Sequence, residues 1–354
     1  MGIIRSDFGK TKDGEQAFLY TLTNSKGMIV KVSNFGAVLV EVHVPDRNGV
    51  FQDVVLGYDN VEQYEINKPS FGGVVGRHAN RMAKATFHLN GVDYFLEQNS
   101  GQNNLHSGQN GYQRRLWKEE KKEEKKEESY VEFSLYSPNL DQGFPGNLEV
   151  KVRYTLTEGN ALKLSYHAIS DEDTVLNLTN HSYFNLAGHK AKDVLSQEVW
   201  IDADFFTETD EKSIPTGTIL PVEGTVMDFR KKKKIGKEIE SDYKAVVLGN
   251  GYDHNWVVKT EDGAVSLVAG MEDPESGRGM RVYTNLPGLQ FYTGNFLNGT
   301  EIGKEGTCYK RRSGACFETQ YFPDSIHHKN FRQAVCKAGE VYQSETIFEF
   351  YVME

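Results

Sequence analysis

A side-chain alternation with a period of two recurs along the whole chain, and it constrains the fold more than any other feature. In the segment 37–44, AVLVEVHV, four valines are predicted to share one face of a strand. The segment 149–168, EVKVRYTLTEGNALKLSYHA, is typical of a hairpin, and the pair Asn90-Gly91 in FHLNGVDYFL indicates another. Because a period of two places alternate side chains on opposite faces of a strand, these segments predict β-sheets.

The sequence shows no sign of a division into domains. It has no proline- or glycine-rich linker, and a sequence repeat of roughly 20–50 residues is not evident. Segments with the period of an amphipathic helix are hard to find. We therefore predict a single all-β domain over residues 1–354, built as a large antiparallel β-sandwich with few short helices.

The charge run KEEKKEEKKEE at 118–128 is unusual. It places like charges four residues apart, which weakens a helix, whereas charges two residues apart alternate in sign. That pattern favours a strand that faces water. We predict a solvated sheet edge protected by charge, and the alternative is a disordered loop.

Composition argues against several classes of function. The net charge of −10 disfavours nucleic acid or an anionic membrane as the main partner. No segment approaches the roughly 20 apolar residues that span a bilayer, and the first fifteen residues lack the apolar stretch of a secretory signal. The three cysteines, Cys308, Cys316 and Cys336, lack metal-ligand spacing, so we expect reduced thiols in a cytoplasmic protein.

The segment 175–186, VLNLTNHSYFNL, alternates like a strand but has one polar face. The side chains predicted for its apolar face are Leu176, Leu178 and Phe184. The side chains predicted for its polar face are Asn177, Thr179, His181 and Tyr183. We expect the apolar face to pack in the core and the polar face to line a binding cleft.

Other polar side chains lie in strand-like or loop segments of the same kind. Signatures of nucleotide binding and of zinc sites based on histidine are absent from the sequence. The candidate functional residues are Asn80, Arg81, His106, His181, Asp253, Gln290 and Glu318. A half-buried histidine is more often structural than catalytic, so no single member of this set is informative by itself.

Taken together, these residue types suit a sugar. Hydroxyl groups need both hydrogen-bond donors and acceptors, which amides, arginine, aspartate and histidine provide. The apolar C–H face of a pyranose ring packs well on an aromatic side chain, for which Phe291 and Tyr292 are candidates. A histidine and a carboxylate can also act as acid and base near neutral pH.

Several motifs, in this order, resemble the galactose mutarotase (aldose 1-epimerase) family. They are GRHANRMAKATF, NLHSG, LNLTNHSYFNLAGH, DHNW, LPGLQFYTGNFL and FETQYFPDS. The resemblance runs from about residue 30 to the C-terminus, and it is the set of motifs that makes it specific. It implies the family's large β-sandwich, or supersandwich, and the interconversion of α and β anomers of free aldoses without a metal or other cofactor.

The resemblance also implies a role for each candidate residue. Glu318 would be the general base at the anomeric hydroxyl, and His181 the general acid at the ring oxygen. His106 would assist near the ring oxygen, and which histidine dominates stays open. The residues implied to hold the sugar are Asn80, Arg81, Asp253 and Gln290. The expected partner is a monosaccharide, for a protein that is a monomer or a homodimer.

Three alternatives stay open at this point. A hexose-6-phosphate 1-epimerase would need a basic cluster, for which Arg81 is the clear candidate. A carbohydrate-binding module without catalysis would not need a matched acid and base such as His181 and Glu318. A glycosidase with two carboxylates would need a second acid, and Asp253 lacks the sequence context for that role.

Overall fold

The computed structural model describes residues 2–261 and 263–354. These residues form mainly antiparallel sheets with short helices, which confirms the predicted all-β class. The α-helices of the described part are Val61–Ile66 and Lys244–Leu248. Its 3₁₀ segments are Ala83–Ala85, Tyr112–Arg114, Asp141–Gly143, Ile235–Lys237, Lys304–Gly306 and Ser325–His327. Within the described residues, no helix is long and apolar enough to cross a membrane.

Three large sheets make up the framework. The five-stranded sheet contains, in spatial order, Gly2–Lys10, Gln16–Thr23, Ile29–Ser33, Leu39–Pro45 and Phe51–Asp53. The nine-stranded sheet contains, in spatial order, Lys118–Glu124, Glu128–Ser137, Leu148–Thr157, Ala161–Ser170, Val341–Val352, Arg278–Thr284, Ser266–Glu272, Glu198–Ile201 and Lys233–Lys234. The six-stranded sheet contains, in spatial order, Tyr183–Phe184, Ala315–Gln320, Gly288–Tyr292, Asp253–Val258, Ala203–Thr209 and Pro215–Pro221.

The described residues also form short two-stranded ladders. The pairs are Val74–Val75 with Thr179–Asn180, Arg81–Met82 with Asn104–Leu105, Thr86–Leu89 with Val92–Phe95, Thr174–Val175 with Val335–Cys336, and Glu301–Ile302 with Cys308–Tyr309. The third of these pairs is the hairpin predicted from Asn90-Gly91, and the hairpin predicted over 149–168 is confirmed as well.

One apolar core unites the three sheets. It contains Val30 of the five-stranded sheet, Val152 and Leu164 of the nine-stranded sheet, and Trp256 and Phe291 of the six-stranded sheet, all fully or almost fully buried. Alternate residues of each strand point into this core, which removes a large apolar area from water and stabilises the sheets against each other.

The prediction that the valines of 37–44 share one face is wrong. Val42 and Val44 pack in the main core, whereas Val38 and Val40 pack in a second cluster. The cause is a β-bulge, since Val32 pairs with Leu39 while the adjacent Lys31 pairs with Glu41. The extra residue reverses the alternation and lets one strand serve two clusters.

The segment 175–186 is also not one continuous strand. Its residues form ladders with three different strands in turn, Val335–Cys336, Val74–Val75 and Ala315–Gln320, and isolated bridges with His78 and Val55. Leu176, Leu178 and Phe184 do pack in the main core, as predicted. Because the chain passes from one partner to the next, alternation does not define a single polar face along the whole segment.

Residues 118–124 of the charge run form the edge that was predicted, whereas residues 125–127 link this strand to the next one, which begins at Glu128. Lys118–Glu124 is the outermost strand of the nine-stranded sheet, and it pairs on its inner side with Glu128–Ser137. Its side chains are exposed or partly exposed. Charged side chains along such an edge oppose pairing with the edge of another molecule.

Candidate active site

A pocket of about 350 Å³ opens where the six-stranded sheet meets the loops around residues 68–81 and 105–106. It is lined by six of the seven candidate residues, which lie far apart in the sequence. These six are Asn80, Arg81, His106, His181, Asp253 and Glu318. A concave polar surface that gathers titratable groups in this way is typical of an active site.

Glu318 and His181 lie together at the buried end of this pocket. Glu318 belongs to a strand with neighbours on both sides, Gly288–Tyr292 and Tyr183–Phe184. The Nε2 atom of His181 is 3.7 Å from Oε1 of Glu318, and both residues are buried. The Oε2 atom of Glu318 is buried and has no hydrogen-bond partner in the protein. A carboxylate oxygen is thus free to bind a hydroxyl group of a ligand.

The backbone and ring of His181 are both held in place. Its backbone N–H donates to the carbonyl of Gly73 at 3.0 Å, and its own carbonyl accepts from the N–H of Gly72 at 2.9 Å. The imidazole ring stacks on Tyr183, with ring centroids 5.1 Å apart and an angle of 17° between planes. The ring edge contacts Tyr292. This packing limits how far the catalytic candidate can move.

His106 faces the same space from a loop. Its ring centroid lies 5.3 Å from that of His181. The backbone N–H of Asn80 donates to Nδ1 of His106 at 3.1 Å. A neutral His106 therefore carries its own hydrogen on Nε2, which makes that atom a hydrogen-bond donor.

Arg81 and Asp253 form the polar wall of the pocket. The closest approach between the guanidinium and the carboxylate is 4.0 Å. Gln290 does not line the pocket; its Nε2 donates to Oδ1 of Asp253 at 2.7 Å. In this geometry Gln290 orients Asp253 from behind, and its direct contact with the sugar stays a prediction.

Two members of the expected polar face of 175–186 do not reach the pocket, which corrects that prediction. Asn177 instead binds the backbone of Tyr321 through both ends of its amide group. Thr179 is buried on a short strand outside the pocket lining. His181 and Tyr183 do line the pocket.

Burial shifts the pKa values of the catalytic candidates in opposite directions. It raises the pKa of Glu318 well above the ordinary value, with a further contribution from Asp253. It lowers the pKa of His181 to about 4 and the pKa of His106 well below the ordinary value. Relative to exposed groups, Glu318 is a stronger base and a protonated His181 is a stronger acid.

The three titratable groups also satisfy the spacing of a metal site. Ligand atoms of His106, His181 and Glu318 all lie within 4.8 Å of one another. The hydrogen bond from Asn80 to Nδ1 of His106 disfavours a metal, since the Nε2 atom that faces the pocket then carries a hydrogen and lacks a free lone pair. The donor set fits hydrogen bonding to hydroxyl groups better than coordination.

Several pocket residues were not identified from the sequence. Of the two aromatic candidates, Tyr292 lines the pocket, whereas Phe291 packs in the core. Phe296 lies at the mouth, is 59% exposed and stacks on Tyr292. Lys68 contributes an exposed cation to the rim. An aromatic residue directly after the turn formers of TGNF is the sequence signal that could have indicated Phe296.

Comparisons with known proteins show the family to which the chain belongs. The family described as aldose 1-epimerase matches residues 19–349. Galactose mutarotase of Bos taurus is 41% identical over 352 residues, which are 99% of this chain and 99% of the relative. Aldose 1-epimerase of Escherichia coli K12 is 35% identical over 343 residues, with 96% of each chain covered.

Solved structures extend this agreement to the fold. The galactose 1-epimerase of Lactobacillus acidophilus superposes with a TM-score of 0.88 at 29% identity, covering 100% of this chain and 99% of the other. An aldose epimerase homologue from C. elegans gives a TM-score of 0.85 at 31% identity, covering 94% and 98%. On sequence and fold alike, the chain belongs to the aldose 1-epimerase family of isomerases.

Proposed function

We propose that the protein interconverts the α and β anomers of free aldoses such as D-galactose and D-glucose, with Glu318 as general base and His181 as general acid. The observation that carries this proposal is the buried pair itself. A carboxylate and an imidazole lie 3.7 Å apart at the end of a polar pocket, and one carboxylate oxygen has no protein partner.

The reaction needs one proton to leave the sugar and one to arrive. Glu318 takes the proton of the anomeric hydroxyl O1, the C1–O5 bond breaks, and its electron pair goes to the ring oxygen O5. His181 gives its proton to O5, so that the open-chain aldehyde forms. Rotation about C1–C2 presents the other carbonyl face, and the reverse proton transfers close the ring and restore both residues.

The remaining pocket residues hold the sugar during this cycle. Arg81 donates to hydroxyl groups and Asp253 accepts from them, while Asn80 adds an amide. The Nε2–H of His106 is a donor beside the ring oxygen, in keeping with the hydrogen bond that Nδ1 accepts from Asn80. Tyr292 and Phe296 offer aromatic surface for the C–H face of the pyranose. Such positioning supplies the rate enhancement that proton transfer alone does not.

A free sugar suits the pocket better than a sugar phosphate. Arg81 lies 4.0 Å from Asp253, so part of its charge is balanced, and Lys68 is a single exposed cation at the rim. A phosphate group would also lie in the field of Asp253 and Glu318. A binding module without catalysis would not require the opposite pKa shifts of Glu318 and His181.

Polarimetry on freshly dissolved α-D-galactose and α-D-glucose tests the proposal. The wild-type protein should speed mutarotation well above buffer. We expect His181→Asn and Glu318→Gln each to lower kcat by about 10²–10⁴-fold. A wild type no faster than buffer would refute the enzymatic function, and active variants would refute the roles. Glucose 6-phosphate in the same assay tests the alternative substrate.

The cellular setting follows the same expectations. We propose that the enzyme works in the cytoplasm, where its three free cysteines stay reduced. We also propose a single domain over the whole chain, acting as a monomer or a homodimer on a small sugar. Light scattering of the purified protein distinguishes the two oligomeric states.

A further inference from the structure

Cys316 contacts the side of the His181 ring that points away from Glu318. Its Sγ atom is 3.5 Å from Nδ1 of His181, whereas Nε2 of the same ring faces Glu318. Cys316 precedes Glu318 by two residues on one strand, so both side chains lie on the same face of the sheet. The strand therefore presents one group to each nitrogen of the imidazole.

Ring packing alone does not select which nitrogen faces the substrate. His181 stacks on Tyr183 and contacts the edges of Tyr292 and His106. A half-turn of the imidazole about its bond to the chain exchanges nitrogen and carbon positions but keeps the plane of the ring. These stacking contacts would change little. A directional partner at a ring nitrogen distinguishes the two orientations, and Cys316 lies within hydrogen-bond distance of Nδ1 whereas Glu318, 3.7 Å from Nε2, lies beyond it.

A buried thiol can serve as that partner throughout the catalytic cycle. Cys316 is fully buried, and burial raises the pKa of the thiol well above its ordinary value. The thiol therefore keeps its hydrogen at neutral pH. Its S–H can donate to Nδ1 of a neutral imidazole, and its sulfur can accept from the Nδ1–H of an imidazolium.

We propose that Cys316 is a positioning residue, whose thiol holds the His181 ring with Nε2 towards Glu318 and the substrate in both protonation states. This inference rests on the proposed function, since it assumes that His181 is the acid. No covalent step is involved, and the thiol stays reduced. The hydrogen bond of a thiol is weak, so the effect on rate is moderate.

Two substitutions separate positioning from packing. Cys316→Ala removes the partner, and we expect kcat to fall about three- to tenfold, with KM changed less than about twofold. Cys316→Ser keeps a group that donates and accepts, and it should keep kcat within about twofold of the wild type. Cys336→Ala, at a buried cysteine outside the pocket, is the matched control and should keep full activity.

The ring nitrogens of His181 provide a readout that is independent of activity. NMR spectra of ¹⁵N-histidine-labelled protein without sugar should show one neutral tautomer of His181 in the wild type and in C316S. The spectra of C316A should show both neutral tautomers. If C316A keeps the kcat and the single His181 tautomer of the wild type, the inference is overturned. It is also overturned if the kcat of C316S is as low as that of C316A while both variants have the same thermal stability. An inactive wild type, or an active His181→Asn, would instead refute the proposed function.

Discussion

The buried pair His181 and Glu318 governs how the rate should depend on pH. The working state of the pair holds one transferable proton. A second proton binds only as the pH falls through the lowered pKa of His181, about 4. The single proton is lost as the pH rises through the raised pKa of Glu318. We therefore expect kcat/KM to be maximal between these limits and to fall on both sides.

Stopped-flow polarimetry corrected for spontaneous mutarotation measures this profile. The acid limb should lie near pH 4, well below the roughly 6.5 of an unperturbed histidine. In Glu318→Gln the alkaline fall of the residual rate should move to lower pH, because His181 alone then holds the transferable proton and loses it as the pH rises through its lowered pKa. An acid limb centred on the ordinary histidine value would show that burial does not control the protonation of this pair.

Phe296 should contribute binding rather than chemistry. It is 59% exposed at the mouth of the pocket and stacks on Tyr292, so it offers its face to the C–H surface of a sugar. We expect Phe296→Ala to raise KM about three- to tenfold and to leave kcat within about twofold. Phe205→Ala, at an aromatic that is 45% exposed outside the pocket, is the control. A lower kcat with an unchanged KM would contradict this assignment.

At the scale of single residues, the sequence indicated which side chains have a chemical role better than it indicated which side chains contact each other. Polar groups in otherwise apolar strand segments identified His181 and Glu318, and the motifs of the family resemblance supplied their roles. The place of Gln290 behind Asp253 was not predictable, because it depends on the pairing of two strands distant in sequence. The contact between Cys316 and His181 depends on a strand pairing of the same kind.

At the scale of elements, local pairing was predictable and changes of partner were not. The hairpins over 149–168 and around Asn90-Gly91 follow from alternation and turn residues that lie close together in sequence. The bulge at Val40 and the divided segment 175–186 arise where a strand serves two clusters or three partners. Alternation of side chains predicts the two faces of a strand within one sheet, so it does not predict the structure where a strand changes its partner or its cluster.

The charged edge strand Lys118–Glu124 should protect the molecule from association. Its exposed charges disfavour an added strand, whereas threonine favours one. We expect the variant K118T/E120T/K122T to form species larger than those of the wild type as its concentration rises, with kcat per chain unchanged. Size-exclusion chromatography with light scattering provides the measurement.

The control for this edge changes the same charges elsewhere. K192T/E211T/K212T also removes two positive charges and one negative charge, at exposed positions outside the strands. It should behave like the wild type. Equal association of both variants would indicate that total charge, and not the edge strand, keeps the molecules apart.

At the scale of the whole molecule, a buried ion pair connects two segments that lie far apart in the sequence. Lys304 is 3% exposed, and its Nζ donates to Oδ2 of Asp53 and to the carbonyl of Val40 at 2.6 Å. Asp53 in turn accepts the backbone N–H groups of Val42 and Val55 through Oδ1. The five-stranded sheet is thereby attached to a segment 251 residues later in sequence.

Removing one charge of this pair should destabilise the fold without altering the chemistry. Lys304→Met leaves a buried carboxylate without its cation, which costs about 3–5 kcal/mol in comparable cases. We expect the midpoint of urea unfolding to fall accordingly, while the folded fraction keeps its kcat because Lys304 does not line the pocket. Asp53→Asn combined with Lys304→Met should recover part of the loss, since the uncompensated charge is then gone.

A more exposed ion pair with a short contact is the control for the effect of burial on stability. Lys337 and Asp173 lie 2.7 Å apart, but the lysine side chain is 60% exposed. Lys337→Met should leave the unfolding midpoint nearly unchanged, because water solvates the lysine charge and the Asp173 carboxylate keeps its hydrogen bonds from Asn90 and Ala338. If both lysine variants lost equal stability, the buried pair would not be the connection between the first sheet and the later segment. If the double variant is no more stable than K304M, the loss of stability in K304M comes from the packing of the lysine side chain and not from the uncompensated charge.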